Sequence, residues 1–96
     1  MLTSPISSFF CPTRIHLGIG AHTQLASVLQ GYDCQRLFIA LDRALQGGDF
    51  YQRIEAILAE QNIATAVFTD IEADPSDTTV ERAFAVCRAH NATAIL

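Results

Sequence analysis

The most informative stretch of this sequence is residues 37–41, which read Leu-Phe-Ile-Ala-Leu and are followed by Asp42. A continuous apolar run of this length is typical of a strand that helices cover on both faces. The run therefore predicts a buried strand of a parallel sheet, with an acidic side chain at its carboxyl end.

A helix is predicted after this strand, beyond the break at Gly47 and Gly48. Asp49 is the predicted N-cap, and Gln52 three residues later completes the pattern of a capping box. Asn62 is predicted to close the helix. Apolar residues at helical spacing predict the face turned to the core, namely Phe50, Ile54, Ile57 and Leu58.

Two more helices are predicted on either side. One starts at about Ala21 and ends at Gly31, because glycine readily adopts the left-handed conformation that closes many helices. The other starts at Ser76 or Asp77 and ends at Asn91. Their predicted apolar faces are Leu25, Val28 and Leu29 in the first helix, and Val80, Ala83, Phe84 and Cys87 in the second.

Further strands are predicted over residues 64–68 and 93–96, and residues 13–17 alternate polar and apolar side chains as a half-buried strand would. Strands and helices that alternate with short connections are typical of right-handed βαβ units. The predicted fold class is α/β, a partial doubly wound parallel sheet of one domain, with the N-terminal strand paired at one edge.

The charge pattern excludes several classes of partner. The 96 residues carry a net charge of −4 with only six Lys and Arg, and these are not clustered. Nucleic acids and anionic membranes need basic surfaces, so neither is predicted as a partner. No run approaches the ~20 apolar residues that span a bilayer, and residues 1–10 lack the features of a secretory signal. A cytoplasmic location is predicted.

The cysteines and histidines do not form a recognisable metal or catalytic motif. Each cysteine is predicted to be a buried free thiol, although Cys34 lies in a polar turn where exposure is the alternative. No two histidines are spaced as metal ligands on one helix, so no metal site is predicted from these residues alone. The residues concerned are Cys11, Cys34, Cys87, His16, His22 and His90, of which His22 and His90 are predicted to lie at helix surfaces.

A glycine pair precedes the first helix, in the order Gly18-Ile19-Gly20. The arrangement resembles the start of a dinucleotide-binding loop, but Thr23 stands where the third glycine of that motif would be. We interpret the pair as a tight turn that needs a flexible backbone.

Two segments at the carboxyl ends of predicted strands are candidates for ligand contacts. Asp42 could accept hydrogen bonds from both ribose hydroxyls of an adenosine and would repel the 2′-phosphate of NADP; the alternative is a solvated carboxylate that caps the next turn. Asp74, Pro75 and Ser76 lie before a helix whose N–H groups could face an anion or a nucleotide. Ordinary N-capping explains the same three residues.

Four stretches together resemble the start of the iron-containing (group III, metal-dependent) alcohol dehydrogenases. They are residues 12–21, 36–42, 73–76 and 91–96, and their order and spacing match that family over nearly the whole chain. In the family the last stretch runs into a Gly-Gly-Gly-Ser loop that holds the cofactor pyrophosphate. Asp74 stands in place of the usual Asn of an Asn-Pro-Thr segment.

This resemblance implies a function and a domain organisation. Residues 1–96 would be the N-terminal part of a dinucleotide-binding domain, cut before the glycine-rich loop, with the helical metal-binding domain absent from this chain. The full-length protein would interconvert an alcohol and an aldehyde or ketone with NAD(H) or NADP(H) and iron or another divalent metal, and a homo-oligomer is one state it could adopt. Cofactor contacts would be Asp42, which favours NAD, and Asp74, Pro75 and Ser76.

Two alternatives remain open at this stage. A relative of the glycerol dehydrogenase or dehydroquinate synthase type would share this front half, and its metal ligands would lie elsewhere. The chain could instead be a non-catalytic α/β module that binds a nucleotide or a partner protein. As a fragment, residues 1–96 are expected to be inactive and marginally stable, and to aggregate through an exposed edge strand and apolar patches.

Overall fold

The computed structural model describes residues 6–8, 10 and 12–96. Three parallel strands form one sheet in the order β2-β1-β3, so the first strand lies in the centre. The elements are β1 (Arg36–Ala40), β2 (Ala64–Phe68), β3 (Ala94–Ile95), α1 (Leu25–Gly31), α2 (Asp49–Glu60) and α3 (Asp77–Ala89), with short 3-10 helices at Ala21–Gln24 and Arg43–Leu45. The α/β fold with a parallel sheet is confirmed.

The strand register places the ends of β1 and β2 level with each other. Arg36 pairs with Ala64 and Ala40 with Phe68. On the other side of β1, Leu37 pairs with Ala94. Connections from β1 to β2 and back to β3 run in opposite directions, and right-handed crossovers then put α2 and α3 on opposite faces. The sheet is therefore doubly wound.

The main core lies on the face covered by α1 and α2. Leu37 and Ile39 of β1 point to this face and are buried there. The other buried members of the cluster are Leu29, Cys34, Tyr51, Ile54 and Leu58. The predicted stripe of α2 is thus confirmed at Ile54 and Leu58, but Phe50 is 54% exposed and Tyr51 takes the buried position beside it.

The opposite face carries Phe38 and Phe68, whose rings lie 6.3 Å apart. The Arg82 guanidinium of α3 lies over the Phe68 ring. The predicted apolar face of α3 is wrong at Val80, which is 60% exposed, and at Phe84, which is 63% exposed, whereas Ala83 and Cys87 are half-buried. The spacing of these residues is helical, but no described element packs over them.

The three α-helices end in the same way. A residue with left-handed backbone follows each C-cap, and the next N–H donates to a carbonyl five residues back, as in a Schellman motif. Asp33, Asn62 and Asn91 are the left-handed residues, and the closing bonds run from Cys34 to Leu29, Ile63 to Leu58 and Ala92 to Cys87. Asn62 and Asn91 were predicted correctly. Gly31 was not, because it is the last residue of α1 and Asp33 closes the helix.

Two other local predictions are wrong. Residues 13–17 are exposed and form no strand, since no described strand lies beside them to pair with their backbone. Asp49 is the first residue of α2 rather than its cap; Gly48 occupies the cap position without a side-chain bond, so the capping box with Gln52 does not form. Ser76, in contrast, is the N-cap of α3 as predicted.

The cysteines and histidines differ in their surroundings. Cys34 is buried and Cys87 half-buried, both as free thiols; Cys11 lies outside the described residues. His22 packs edge-on against Phe50. His90 is half-buried rather than a surface residue, and its ring nitrogens contact the Ala64 carbonyl at 3.1 Å and the Arg36 guanidinium at 3.2 Å. Within the described part of the chain, no helix has the length and apolar character needed to cross a membrane.

Candidate functional site

The carboxyl ends of all three strands meet at one edge of the sheet, because the strands are parallel. The ladder continues past the strands themselves: Leu41 N–H donates to the Phe68 carbonyl at 3.0 Å, and Ala40 N–H donates to the Leu96 carbonyl at 3.0 Å. In doubly wound sheets, ligands bind beyond this edge. Asp42 and the loop of residues 69–76 both leave the sheet here.

Asp42 is exposed, directly beyond the buried central strand. Its Oδ1 accepts a hydrogen bond from Ala44 N–H at 2.9 Å and so caps the short helix Arg43–Leu45. The capping alternative is therefore confirmed for one oxygen. Among the described residues, no hydrogen bond uses Oδ2, which leaves one carboxylate oxygen directed to a ligand or to water.

Asp70 lies in the loop after β2 and forms ion pairs with two arginines. The guanidinium of Arg82 is 2.5 Å from Oδ2 of Asp70, and that of Arg43 is 3.6 Å from Oδ1. Arg82 also donates to the Asp70 carbonyl at 3.3 Å. Since Arg43 follows Asp42, this cluster ties the loop after β1 to the loop after β2 and to α3.

The start of α3 is held by a second polar cluster. One oxygen of Glu72 accepts from Ser76 N–H at 2.9 Å and from the Thr79 hydroxyl at 2.7 Å. Ser76 Oγ in turn accepts from Thr79 N–H at 3.3 Å. The hydrogen bond from Ser76 N–H, followed by that from Thr79, lowers the pKa of the Glu72 carboxyl. Both polar groups of Ser76 are engaged in capping.

Asp74 and Pro75 form the exposed turn between Glu72 and Ser76. Asp74 has φ 52°, in the left-handed region. Asn and Asp adopt this conformation more readily than other side chains except Gly. Asp74 therefore suits this backbone, and it brings a negative charge to the turn.

The glycine pair near the N-terminus forms a turn. Gly18 has φ 141° and Gly20 φ 79°, and Ala21 N–H donates to the Gly18 carbonyl at 3.2 Å. The interpretation as a turn that needs glycine backbone is confirmed.

An apolar cleft of about 350 Å³ opens beside the carboxyl end of β1, on the face of α1 and α2. Its apolar lining includes Leu25, Val28, Ile39, Leu41, Leu45, Phe50 and Leu96. Tyr51 also lines it; burial, and then the charge of Glu55, raises the pKa of this phenol above its ordinary value. A ligand-binding site needs a few polar groups that orient the ligand. At this edge of the sheet such groups lie at Asp42 and Asp70 rather than in the apolar cleft.

The predicted cofactor residues Asp42 and 74–76 follow the two neighbouring strands β1 and β2, and the hydrogen bonds of Asp42 and Ser76 belong to separate caps. In the described residues, the link between the two loops is Arg43 with Asp70, not Asp42 with Asp74. The sequence reading missed Arg43, Asp70, Glu72 and Arg82. Asp70 could have been found, because it lies two residues after the predicted strand 64–68, much as Asp42 directly follows the predicted strand 37–41.

The described residues do not fit a metal centre. No three His, Cys, Asp or Glu side chains within this part of the chain lie close enough to hold an ion together. No metal ligand is therefore assigned to these residues.

The comparisons with known proteins agree with the fold. The family model described as iron-containing alcohol dehydrogenase matches residues 12–96. This chain belongs to that family. It is 28% identical over 85 residues to NADH-dependent butanol dehydrogenase A of Clostridium acetobutylicum, a match that covers 88% of this chain and 22% of that protein.

A solved structure shows the same fold. The crystal structure of a 1,3-propanediol oxidoreductase superposes with a TM-score of 0.74 at 24% identity, over 79% of this chain and 20% of that one. The family member described here thus spans about a fifth of the length of each of these relatives.

Proposed function

We propose that this chain forms the adenosine-binding edge of the NAD(H) site in an iron-containing alcohol dehydrogenase. The observation that carries the proposal is the position of Asp42 at the carboxyl end of the central strand, with one oxygen fixed by Ala44 and the other unengaged among the described residues. A carboxylate there suits the two hydroxyls of an adenosine ribose and disfavours a 2′-phosphate. NAD is therefore the proposed cofactor, ahead of NADP.

The turn of residues 74–76 is proposed to flank the adenine and ribose. Asp74 is exposed, and its left-handed backbone is followed by the fixed φ of Pro75. Ser76 has its hydroxyl and N–H in the cap of α3, so we propose that it shapes the turn rather than binding the nucleotide through those groups.

The reaction proposed for the whole protein is the interconversion of an alcohol with an aldehyde or ketone. The likeness to an NADH-dependent butanol dehydrogenase supports a small alcohol as substrate and NAD(H) as the hydride carrier. The nicotinamide would accept or donate the hydride when bound. Iron or another divalent metal is proposed for the whole protein only, as is a helical domain to hold it.

The test is NADH binding by the chain, measured by ligand-observed NMR at millimolar cofactor. We expect binding to weaken roughly tenfold in Asp42→Ala, because hydrogen bonds to a charged acceptor are lost. Asp42→Asn is the matched variant: an amide oxygen can still cap Ala44, so the turn stays while the charge goes. Glu60→Gln removes a charge from the end of α2 far from this edge and should bind as the original chain does.

Each outcome bears on the proposal. Weaker binding in both Asp42 variants assigns the effect to the carboxylate charge. Weaker binding in Asp42→Ala alone assigns it to the shape of the turn, and the ribose role of Asp42 is then wrong. If the original chain does not bind NADH at millimolar concentration, the proposed function fails for these residues.

A further inference from the structure

Two aspartates hold equivalent positions at the carboxyl edge of the sheet. Ala40 and Phe68 are paired at the ends of β1 and β2, and Asp42 and Asp70 each come two residues later in the chain. The bond from Leu41 N–H to the Phe68 carbonyl keeps the two segments side by side beyond the strands. A ligand at this edge would therefore meet both carboxylates.

The two carboxylates differ in what neutralises them. Asp42 is capped by a backbone N–H, whereas Asp70 is paired with both Arg43 and Arg82. Arg82 is itself held over the Phe68 ring, 5.9 Å from its centre. Arg82 of α3 thus binds one oxygen of Asp70, and the other oxygen faces Arg43 in the loop after β1.

The charge balance of this cluster has a consequence for phosphate. The carboxylate of Asp70 is the acidic partner of Arg43 in this cluster, whereas Arg82 also lies within charge range of Glu72. Without Asp70, Arg43 would lose the carboxylate it is paired with, and its guanidinium belongs to the residue that follows Asp42 directly. Arginine is the side chain best suited to bind a phosphate, through its planar fork of N–H donors, and a 2′-phosphate would carry up to two negative charges next to Asp42.

We propose that Asp70 is a positioning residue for cofactor specificity: it holds Arg43 in an ion pair and so denies the 2′-phosphate of NADP a cationic partner. This inference rests on the proposed nucleotide site. Asp42 repels the phosphate directly, and Asp70 engages Arg43, the arginine next to Asp42 in the chain, which could otherwise offset that repulsion. Discrimination against a 2′-phosphate then depends on two carboxylates, of which only Asp42 touches the ribose.

The test compares two probes that differ only in the 2′-phosphate, adenosine 5′-monophosphate and adenosine 2′,5′-bisphosphate. Their dissociation constants are measured by ligand-observed NMR titration of the chain, and far-UV circular dichroism checks that each variant folds. The Asp70 side chain is 61% exposed, so its replacement leaves the core intact. The variants are Asp70→Asn, Asp70→Glu, the double variant Asp70→Asn with Arg43→Gln, and the control Glu60→Gln.

We expect Asp70→Asn to shift the ratio of the two constants about fivefold toward the bisphosphate, the effect of unmasking one exposed charge beside the phosphate. The double variant should return to the original ratio, and Asp70→Glu and Glu60→Gln should keep it. A purely structural role of Asp70 would weaken both probes equally.

Other results would overturn the inference. If Asp70→Asn and Glu60→Gln give the same ratio, Asp70 has no role in specificity. If the double variant keeps the shift, Asp70 acts through its own charge or through Arg82, and not by holding Arg43. Binding of the monophosphate with an unchanged ratio in every variant refutes the inference alone, whereas failure of the original chain to bind the monophosphate refutes the proposed function with it.

Discussion

The two faces of the sheet are covered to very different extents. On the α1 and α2 face, Leu37 and Leu58 are fully buried and five further side chains close around them. On the other face, Phe38 and Phe68 are buried, but α3 turns Val80 and Phe84 to solvent. The contacts of α3 are instead largely polar. Glu72 and Ser76 hold its start, and His90 with Arg36 holds its end. Between them, Arg82 contacts Asp70 and the Phe68 ring.

This difference indicates where the stability of the described residues resides. Burial of apolar side chains is the main favourable term in folding, and most of it lies on the α1 and α2 face. Hydrogen bonds at exposed helix ends contribute less each. The exposed residues of α3 and the open edge of β3 keep aggregation as an expectation for this chain.

The largest expected effect is at Leu58. We expect Leu58→Ala to lower the free energy of unfolding by about 3 kcal/mol, because a fully buried leucine leaves a cavity. Phe84→Ala, on the open face, should change it by no more than about 0.5 kcal/mol. Urea unfolding followed by circular dichroism measures both. Equal losses would mean that α3 is packed over its apolar face in solution.

A smaller effect, of opposite sign, is expected at the end of α1. Gly31 is helical, and a Cβ there would meet nothing within 4 Å. Gly31→Ala should therefore stabilise the chain by about 0.5 kcal/mol, mainly by restricting the unfolded state. Were Gly31 left-handed, the same change would destabilise. Asp33 gives the matched pair: Asp33→Gly should be tolerated, and Asp33→Ala should cost about 1 kcal/mol.

The two faces of the sheet and the end of α1 also show what the sequence could and could not predict. Strand and helix positions followed from apolar periodicity, and Asn62, Asn91 and Ser76 followed from their local chemistry. The prediction that Gly31 closes α1 was wrong because glycine and aspartate can both close a helix. Which of them does so depends on where the chain must turn into β1. Local sequence cannot tell which apolar face is covered, since that depends on other elements.

The site divides in the same way. Asp42 could be predicted because an acid after a buried strand has a positional meaning. The ion pair of Arg43 with Asp70 could not, because it joins residues 27 apart whose closeness is set by the register of β1 and β2. Glu72 was missed because its bonds run to a turn that is not apparent without the left-handed backbone of Asp74.

The smallest expected effect tests the polar attachment of α3. The pKa of Glu72 is lowered from its ordinary 4.5 by the hydrogen bonds from Ser76 and Thr79. A group with a lowered folded pKa stabilises the fold above its unfolded pKa, and this contribution is lost as the pH falls through the folded value. We therefore expect Glu72→Gln to be less stable than the original chain at pH 7, with the gap closing below about pH 4.5.

The measurement is urea unfolding of both proteins from pH 7 down to pH 3, with Glu81→Gln as a control that removes an acid from α3 itself without touching its N-terminal cap. All carboxylates titrate in this range, so the comparison uses the difference in unfolding free energy between the original chain and Glu72→Gln. If the difference in unfolding free energy stayed constant down to pH 3, the charge of Glu72 would not be what stabilises the start of α3. If the two proteins were equally stable at pH 7, α3 would be held by the contact of Arg82 with Phe68 rather than by its ends. The two faces of the sheet would then differ less in stability than their exposed side chains indicate.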